Sequence, residues 1–346
     1  MGLGALGLFG ILLAVLILPF SVRHIEEELE AFLLVMGALA VTVSGQWSSA
    51  LCWQALRVPL PIALVVLAAG LIFKALRPQL RAWSARAQQR WGVRALAFVL
   101  VVGLGFLSCA ITAIVAALVL AEVISALRLP RWAELRLVIL ACYAIGLGSA
   151  LTPLGGPLAA IAVSRLQDGP YHADFFFLAR QLWVWIVPLV LAFGAAAAVL
   201  VHAGPETGAH LHVDEAPEKA REGAYRALKI FCFVAGLVLL GQGFAPLADS
   251  LLARVPSLAL YWVNSLSAIL DNATLTAAEI GPGLAPERIR ALLLGLLIAG
   301  GMLIPGNVPN IVCAGKLGLG SKEWARFALP VGLLTMGLVF AALFFL

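Results

Sequence analysis

The sequence predicts an all-α polytopic membrane protein, with about eight full spans and two re-entrant hairpins arranged as two inverted repeats. Hydrophobic residues make up 62% of the 346 residues and charged residues only 12%. The mean hydropathy of +1.03 is typical of a membrane protein and lies well above that of soluble domains. Two pairs of similar segments and two interrupted apolar spans predict the repeats. The spans leave no room between them for a separate soluble domain.

Apolar stretches of suitable length recur along the whole chain, since a helix that crosses a bilayer needs about 20 apolar residues. The first stretch has no basic start and no small-residue cleavage site, so it is interpreted as a helix and not as a signal peptide. Two stretches, 95–127 and 256–281, need not cross the bilayer. The candidate spans are 3–20, 31–53, 60–76, 95–127, 137–166, 178–201, 228–248, 256–281, 290–316 and 326–345.

The cysteines and the net charge exclude several classes of function. The five cysteines are scattered singly through apolar stretches without CxxC or CxxH spacing, which is typical of packing residues. The net charge of +5 comes from Arg and Lys in short loops, so membrane topology explains it better than nucleic-acid binding. The stretch HLHVDEAPE, 210–218, lies in the longest charged loop and is interpreted as a solvated linker. We therefore expect no cofactor and no metal beyond a transported ion.

The basic loops predict the orientation of the chain. Residues 77–94 carry five arginines and no acid, and such a loop is expected on the cytoplasmic side. Its Trp83 and Trp91 suit a short helix at the headgroups, and a solvated linker is the alternative. Basic residues in 202–227 and 316–326 indicate the same side for those segments. All three basic segments lie on the cytoplasmic side only if 95–127 enters and leaves the membrane from the cytoplasm and 256–281 enters and leaves it from the outside. Two hairpins of opposite orientation are what an inverted repeat produces.

Two pairs of segments support this repeat independently. SCAITAIVAALVLAEV (108–123) aligns with SLSAILDNATLTAAEI (265–280), and GSALTPLGGPL (148–158) aligns with GGMLIPGNVPN (300–310). The pairs occur in the same order along the chain, which indicates two equivalent units. The predicted organisation is scaffold helices over 1–59, a first repeat over 60–201, a cytoplasmic linker over 202–227 and a second repeat over 228–346.

The segments TPLGGP and IPGNVPN each place two prolines four residues apart in the middle of an apolar span. Because proline removes a backbone donor and clashes with the preceding turn, two in succession unwind a helix. Unwound backbone at membrane depth is tolerated where it is packed in protein or lines a wet cavity, and paired broken helices indicate a transporter's binding site. The alternative is a pair of kinks used only for packing. The predicted breaks contain Pro153, Gly155, Gly156, Pro157, Pro305, Gly306 and Pro309.

Asp271 lies in the apolar segment NSLSAILDNATLTAAE. Since an Asp at a helix centre costs about 2.5–3.5 kcal/mol on insertion scales, such residues usually face a cavity and mark an ion or proton pathway. Asn272, Thr274 and Ser267 surround it with the oxygen donors that a hard cation prefers. The alternative is that Asp271 only caps the returning arm of a hairpin, because Asp and Asn are good N-caps.

Other polar residues in the spans are weaker candidates. Glu122 and Glu279 occupy equivalent positions near the ends of their hairpins, where an acid can also reach the interface or pair with a nearby base. Ser and Thr are common contact residues between membrane helices. The candidates that could line a site from the first repeat are Ser108, Thr112, Ser149 and Thr152, and those near the second break are Asn307 and Asn310.

On these motifs, residues 60–346 resemble the ion-transporter superfamily, which includes D-type sodium/proton antiporters, arsenite-efflux carriers and dicarboxylate carriers. Within it, the chain looks like the small predicted cation transporters. The resemblance implies two inverted copies of a hairpin and a broken helix that meet at the substrate. It implies that Asp271 and Asn272 correspond to the hairpin Asp-Asn of the antiporters, and that Asn307 and Thr152 fall at polar positions of the broken helices.

This sequence also departs from a symmetrical pattern. The first hairpin has Ile114 and Val115 where the second has Asp271 and Asn272, and TPLGGP has no asparagine equivalent to Asn307. Any ion site is therefore expected to be asymmetric. The resemblance to dicarboxylate carriers would instead imply a symmetrical pair of ion sites.

The sequence thus predicts a secondary active cation transporter, which exchanges Na⁺ or Li⁺ for protons across a bacterial inner membrane. Asp271 is expected to bind cation and proton alternately. The expected partners are membrane lipid, a small inorganic cation and protons, without nucleic acid, and a homodimer is possible. One alternative is a sodium-coupled carrier of a carboxylate or oxyanion. A membrane enzyme or a scaffold is the other, but the spans contain neither HExxH nor GxSxG, and a scaffold does not need Asp271.

Overall fold

The computed structural model describes residues 3–22, 24–25, 28–127, 129–167, 169–201, 220–252, 257–265 and 272–345, and its regular secondary structure in these ranges is helical. The helices are α1 Leu3–Ser21, α2 Leu29–Ser44, α3 Ser49–Arg57, α4 Pro59–Ile111, α5 Ala113–Leu127, α6 Arg131–Gly148, α7 Pro157–Arg165, α8 Phe177–Leu200, α9 Ala220–Leu252, α10 Ser257–Val263, α11 Asn272–Glu279, α12 Pro286–Ala299, α13 Val308–Leu317 and α14 Ser321–Phe345.

Six helical segments in the described part of the chain are long and apolar enough to cross a membrane. Eight were expected, but two predicted spans, 3–20 and 31–53, contain shorter apolar helices, and a third, 290–316, is divided between α12 and α13. The other five each overlap one segment, and the sixth, Arg86–Ile111, overlaps 95–127, which was predicted as a re-entrant hairpin although this segment is long enough to cross. The chain is therefore an all-helical protein of membrane character. The six segments are Ser49–Ala68, Arg86–Ile111, Arg131–Leu151, Phe177–Leu200, Ala227–Pro246 and Ser321–Phe345.

Two boundaries near the N-terminus differ from the predicted spans. The predicted span 31–53 is interrupted because Gly45 ends α2 with a left-handed backbone, at φ 69°. The Ser48 side chain then accepts a hydrogen bond from the Leu51 amide and caps α3. Further on, the arginine-rich stretch 77–94 belongs to α4 and is not a loop. α4 has non-helical backbone at Gly92, where φ is 75°.

α6 is the central helix of the fold and is almost wholly buried. It packs against α4, α5, α8, α12, α13 and α14. Small residues allow the closest of these approaches, since a Cβ built on Gly148 would overlap the carbonyl oxygen of Gly105 in α4. At the α14 side, the Tyr143 hydroxyl donates a hydrogen bond of 2.8 Å to the Ala328 carbonyl oxygen.

The N-terminal helices pack on α9. α2 approaches α9 closely because glycines face each other, and a Cβ built on Gly37 would lie 2.6 Å from the carbonyl oxygen of Gly236. α1 packs on α2. The Lys229 side chain of α9 forms ion pairs with Glu28 and Glu30 at the start of α2. These contacts fix the first helices on the rest of the bundle.

Candidate functional site

A central cavity of about 260 Å³ lies where two interrupted helices meet. One interruption separates α6 from α7, and the other separates α12 from α13. The cavity also contacts the turn between α4 and α5 and the first residue of α11. Four helices in the described part of the chain, α5, α7, α11 and α13, begin with residues at or next to this cavity.

The first break follows α6. A short 3₁₀ turn, Ser149–Leu151, continues the helix, and regular helix resumes at Pro157, which suits a first helical position because it has no amide hydrogen. The Ser149 hydroxyl donates a hydrogen bond of 2.9 Å to the Gly146 carbonyl oxygen. The Thr152 hydroxyl donates to the Cys109 carbonyl oxygen of α4. The unwound chain is therefore fastened to the neighbouring helix by a side chain.

The turn at Thr112 is joined directly to this break. The Ala113 amide, at the start of α5, donates a hydrogen bond of 2.8 Å to the Gly155 carbonyl oxygen. Thr112 itself has φ 73° and ψ 149°, a conformation that is nearly confined to glycine and that costs about 1–3 kcal/mol for other residues. Its hydroxyl oxygen accepts a hydrogen bond of 3.4 Å from the Val115 amide and caps α5. Backbone strain of this kind clusters at functional sites.

The second break is supported by two asparagines. The Asn310 amide group donates hydrogen bonds of 2.8 Å to the carbonyl oxygens of Gly300 and Leu303, which lie between α12 and α13. The Asn307 carboxamide oxygen accepts a hydrogen bond of 2.9 Å from the Val308 amide and caps α13. These three bonds stabilise the unwound turn, which contains the 3₁₀ segment Ile304–Gly306.

Glycines allow two carboxamide side chains to reach the cavity. The Asn307 amide nitrogen would lie 2.5 Å from a Cβ built on Gly146, so this residue of α6 must be small. A Cβ built on Gly300 would overlap the Asn272 amide nitrogen in the same way. Asn272 is only 6% exposed, and its carboxamide oxygen has no hydrogen-bond partner among the described residues. A buried acceptor without a partner is suited to a ligand.

The predicted site residues divide into three groups. Asp271 and Ser267 lie outside the described residues, as does the side chain of Thr274. Ser108, Glu122, Thr152, Glu279, Pro305, Pro309 and Asn310 are described but do not line the central cavity. Those that line it are Thr112, Ser149, Pro153, Gly155, Gly156, Pro157, Asn272, Gly306 and Asn307.

The two acids of the spans lie away from the cavity. Glu122 of α5 forms an ion pair with Lys316 at the end of α13, and their side chains are only 4% and 5% exposed. The Asn264 amide group donates a hydrogen bond of 3.0 Å to Glu279 at the end of α11. Ser108 is also a contact residue, since its hydroxyl donates to the carbonyl oxygens of Gly105 and Ile145 and thereby joins α4 to α6.

Sequence reasoning missed three residues of this arrangement. Gly146 and Gly300 carry no chemical signal, because only the packing shows that a side chain must pass next to them. Lys316 was assigned to a basic cytoplasmic segment, although it belongs to α13 and is buried. Its position directly after the apolar stretch IVCAG was the signal that could have distinguished it from Lys322, which lies in the first turn of α14.

The comparison with protein families agrees with a chain that is one unit. A family model, described as "Protein of unknown function (DUF1646)", matches residues 5–346. No curated protein matches the chain. Because the match covers nearly the whole chain, including both breaks and the central cavity, the chain belongs to the DUF1646 family.

Proposed function

We propose that the protein is a secondary active cation transporter, which exchanges Na⁺ or Li⁺ for protons across a bacterial inner membrane, and that the central cavity is its ion site. One observation carries the proposal. Two helix breaks, a strained turn and the buried Asn272 side chain converge on one cavity. Broken helices that meet in the middle of a helical membrane protein are typical of the binding sites of secondary transporters.

The cavity offers oxygen ligands of the kind that hard cations prefer. Four residues whose side chains carry oxygen atoms line it: Asn272, Asn307, Ser149 and Thr112. The Asn272 carboxamide oxygen has no hydrogen-bond partner among the described residues, and such a buried acceptor costs about 1–3 kcal/mol. A bound cation would offset this cost.

Asp271 supplies the charge in this proposal, because it directly precedes Asn272 in the chain. The N-termini of α5, α7, α11 and α13 lie at the cavity, and helix N-termini stabilise a negative charge. They would therefore favour the ionised carboxylate, which can bind either a cation or a proton but not both. That competition couples cation movement to proton movement in the opposite direction.

The packing of the helices supports two inverted repeats with re-entrant hairpins. α5, which follows the Thr112 turn, packs on α13 of the second broken helix, and α11 packs on α7 of the first broken helix. Each unit therefore contributes a helix to the break of the other, as a twofold pseudosymmetry requires. In this proposal the hairpins include the Thr112 turn and the segment before α11, and their movement with the broken helices alternates access to the cavity.

A sodium-coupled carrier of a carboxylate or oxyanion is the second candidate. The four helix N-termini at the cavity favour it, because they would also bind an anionic substrate. However, no Arg, Lys or His lines the cavity among the described residues. The cavity volume of about 260 Å³ is also below the range of about 300–1,000 Å³ that is usual for organic ligands. The cation exchanger is therefore the preferred function.

The substitution Asp271→Asn tests the proposal in proteoliposomes that contain a pH-sensitive dye. Purified wild-type protein is expected to dissipate an imposed pH gradient when Na⁺ or Li⁺ is added, but not when choline is added. The Asp271→Asn variant is expected to lose this activity, because its carboxamide cannot exchange a proton for a cation. Normal exchange by a folded Asp271→Asn variant contradicts the proposal.

Asp174→Asn is the matched control. Asp174 is an exposed carboxylate in the loop before α8, and it pairs with Arg180 of that helix. The substitution removes the same charge without touching the cavity, so full exchange activity is expected.

Uptake of a labelled dicarboxylate, driven by a sodium gradient, separates the second candidate from the first. Binding of Na⁺ or Li⁺ is also expected to raise the melting temperature of the wild type, because the ligand stabilises only the folded state.

A further inference from the structure

A second cavity, of about 640 Å³, lies on another side of the second break. Ile304 and Ile311, which flank the break, form part of its lining. Charged residues of both signs line it as well, with Glu30 and Lys229 from α2 and α9 and Arg131 from the start of α6. The side chains of Lys229 and Glu30 pair with each other, and Arg131 pairs with Glu323 of α14.

The direction of two helices shows how the cavities are arranged. α6 has 18 residues and begins with Arg131 at the second cavity, and an α-helix of that length extends about 27 Å. It ends at Gly148, next to Ser149 of the central cavity. α13 runs in the other direction, from Val308 at the central cavity to Leu317, beside the second cavity. The second cavity therefore extends from the start of α6 to the second break.

One stretch of chain, 304–311, contributes to the lining of both cavities and so lies between them. Gly306, Asn307 and Val308 face the central cavity, whereas Ile304 and Ile311 face the second one. The Asn310 side chain holds this stretch closed against the preceding turn through its two hydrogen bonds to Gly300 and Leu303.

The central cavity lies at the far end of α6 from Arg131, because α6 begins at the second cavity and ends next to Ser149 of the central one. Pro157 and Ala160 of α7 line the central cavity and are exposed.

We propose that the second cavity is the cytoplasmic vestibule of the ion pathway and that residues 304–311 are its gate, with Ile304 and Ile311 as the apolar plug. This inference rests on the proposed transport function. The charged groups near Arg131 keep the vestibule hydrated, and the basic residues around it place it on the cytoplasmic side. The two isoleucines keep that water from the ion site until the gate moves. Asn310 is a positioning residue that holds the gate closed.

Accessibility of single cysteines tests the arrangement without depending on transport. The five native cysteines are replaced by alanine, and a membrane-impermeant cationic thiol reagent is applied to either face of oriented vesicles. Gly315→Cys is the vestibule probe, because Gly315 lines the second cavity and a Cβ there meets open space. Ala160→Cys is the probe for the central cavity. Val312→Cys, on the same helix as Gly315 but buried outside both linings, is the matched control.

Gly315→Cys is expected to react only from the cytoplasmic face, and Ala160→Cys only from the opposite face. Val312→Cys is expected to react from neither face. Reaction of Gly315→Cys from the opposite face, or from neither face, overturns the vestibule. The arrangement is also overturned if Ala160→Cys reacts equally fast from the cytoplasmic face and from the opposite face.

The gate is tested with Ser149→Cys, which lies deep in the central cavity. Combining it with Ile304→Ala and Ile311→Ala is expected to increase its labelling from the cytoplasmic face at least tenfold, because the plug is removed. Phe233→Ala, which enlarges the vestibule but leaves the wall intact, is expected to produce no such increase. Equal labelling with and without the isoleucines excludes them as the gate. If labelling is as expected but Na⁺/H⁺ exchange is absent, the pathway stands and only the proposed substrate is wrong.

Discussion

Glu122 and Lys316 form an ion pair between α5 and α13 that is almost completely buried. Removing two charges from water is costly, and the pair regains this cost only while both partners are present. Replacing one partner leaves an uncompensated buried charge, whereas replacing both by apolar residues of similar size is often neutral. The pair is therefore a sensitive probe of the contact between the two halves of the chain.

Lys316→Met is expected to destabilise the folded protein by about 3–5 kcal/mol, because it leaves the Glu122 carboxylate buried without its cation. The double variant with Glu122→Leu and Lys316→Met is expected to recover most of that loss. Thermal unfolding in detergent compares the stability of the wild type, the single variant and the double variant. A double variant that is less stable than the single one would show that the charges do not act as a pair.

At the scale of single elements, the first break depends on the absence of a side chain at Gly155. A Cβ built there would overlap the carbonyl oxygen of Ser149, and backbone cannot move aside as a flexible side chain can. The carbonyl oxygen of Gly155 also accepts a hydrogen bond from the Ala113 amide of α5. A shift at this residue therefore reaches both the break and the Thr112 turn.

Gly155→Ala is expected to lower stability by about 1–3 kcal/mol, the usual cost of overpacking, and to reduce cation exchange more than tenfold because the cavity wall moves. Thermal unfolding and the pH-gradient assay measure the two effects. Gly103→Ala is the control, since a Cβ on that helical glycine meets nothing within 4 Å. It is expected to keep full activity and stability. Equal behaviour of the two variants would mean that the break tolerates a side chain.

The elements also show which features can be predicted from sequence. The proline pairs predicted breaks at 153–157 and 305–309, and α7 and α13 begin at Pro157 and Val308, because proline acts on its own turn of helix. The end of α2 at Gly45 was missed, since the apolar stretch continues across it. For 77–94 a short helix at the headgroups was one prediction and a solvated linker the other. The segment is helical, in line with arginine being a good helix former, but it belongs to the long α4.

The partners across the cavity could not be predicted, because spacing along one helix does not identify the helix that packs against it. The fit of Asn307 against Gly146 and the bond from Ala113 to Gly155 depend on tertiary packing. The ligand role of Asp271 stays a prediction, since Asp271 lies outside the described residues.

At the scale of the whole molecule, the ends of several helices share one side. The starts of α6 and α14 are joined by two hydrogen bonds, of 2.8 and 2.7 Å, between Arg131 and Glu323. The start of α9 lies near them, because Lys229 and Arg131 line the same cavity. The basic residues of this side indicate the cytoplasm, and α14, with 25 residues, is long enough to reach the opposite face.

Alkaline phosphatase fused behind Phe345 is therefore expected to be active in bacterial cells, and green fluorescent protein at the same place is expected to be dark. The reverse is expected for reporters inserted between Leu200 and Ala220, because the connection between α8 and α9 is predicted to be cytoplasmic. Enzyme activity and fluorescence of the full-length fusions measure both positions. Fluorescence behind Phe345 would contradict the assigned orientation.

The ion pair of Glu122 and Lys316 also sets an order for biosynthesis, because its members are 194 residues apart in the chain. At a translation rate of about 5–20 residues per second, Glu122 leaves the ribosome roughly 10–40 s before Lys316. During that interval the nascent first half holds an acidic side chain whose lysine has not yet been made. The contact between α5 and α13 can therefore close only after the last helices have been synthesised.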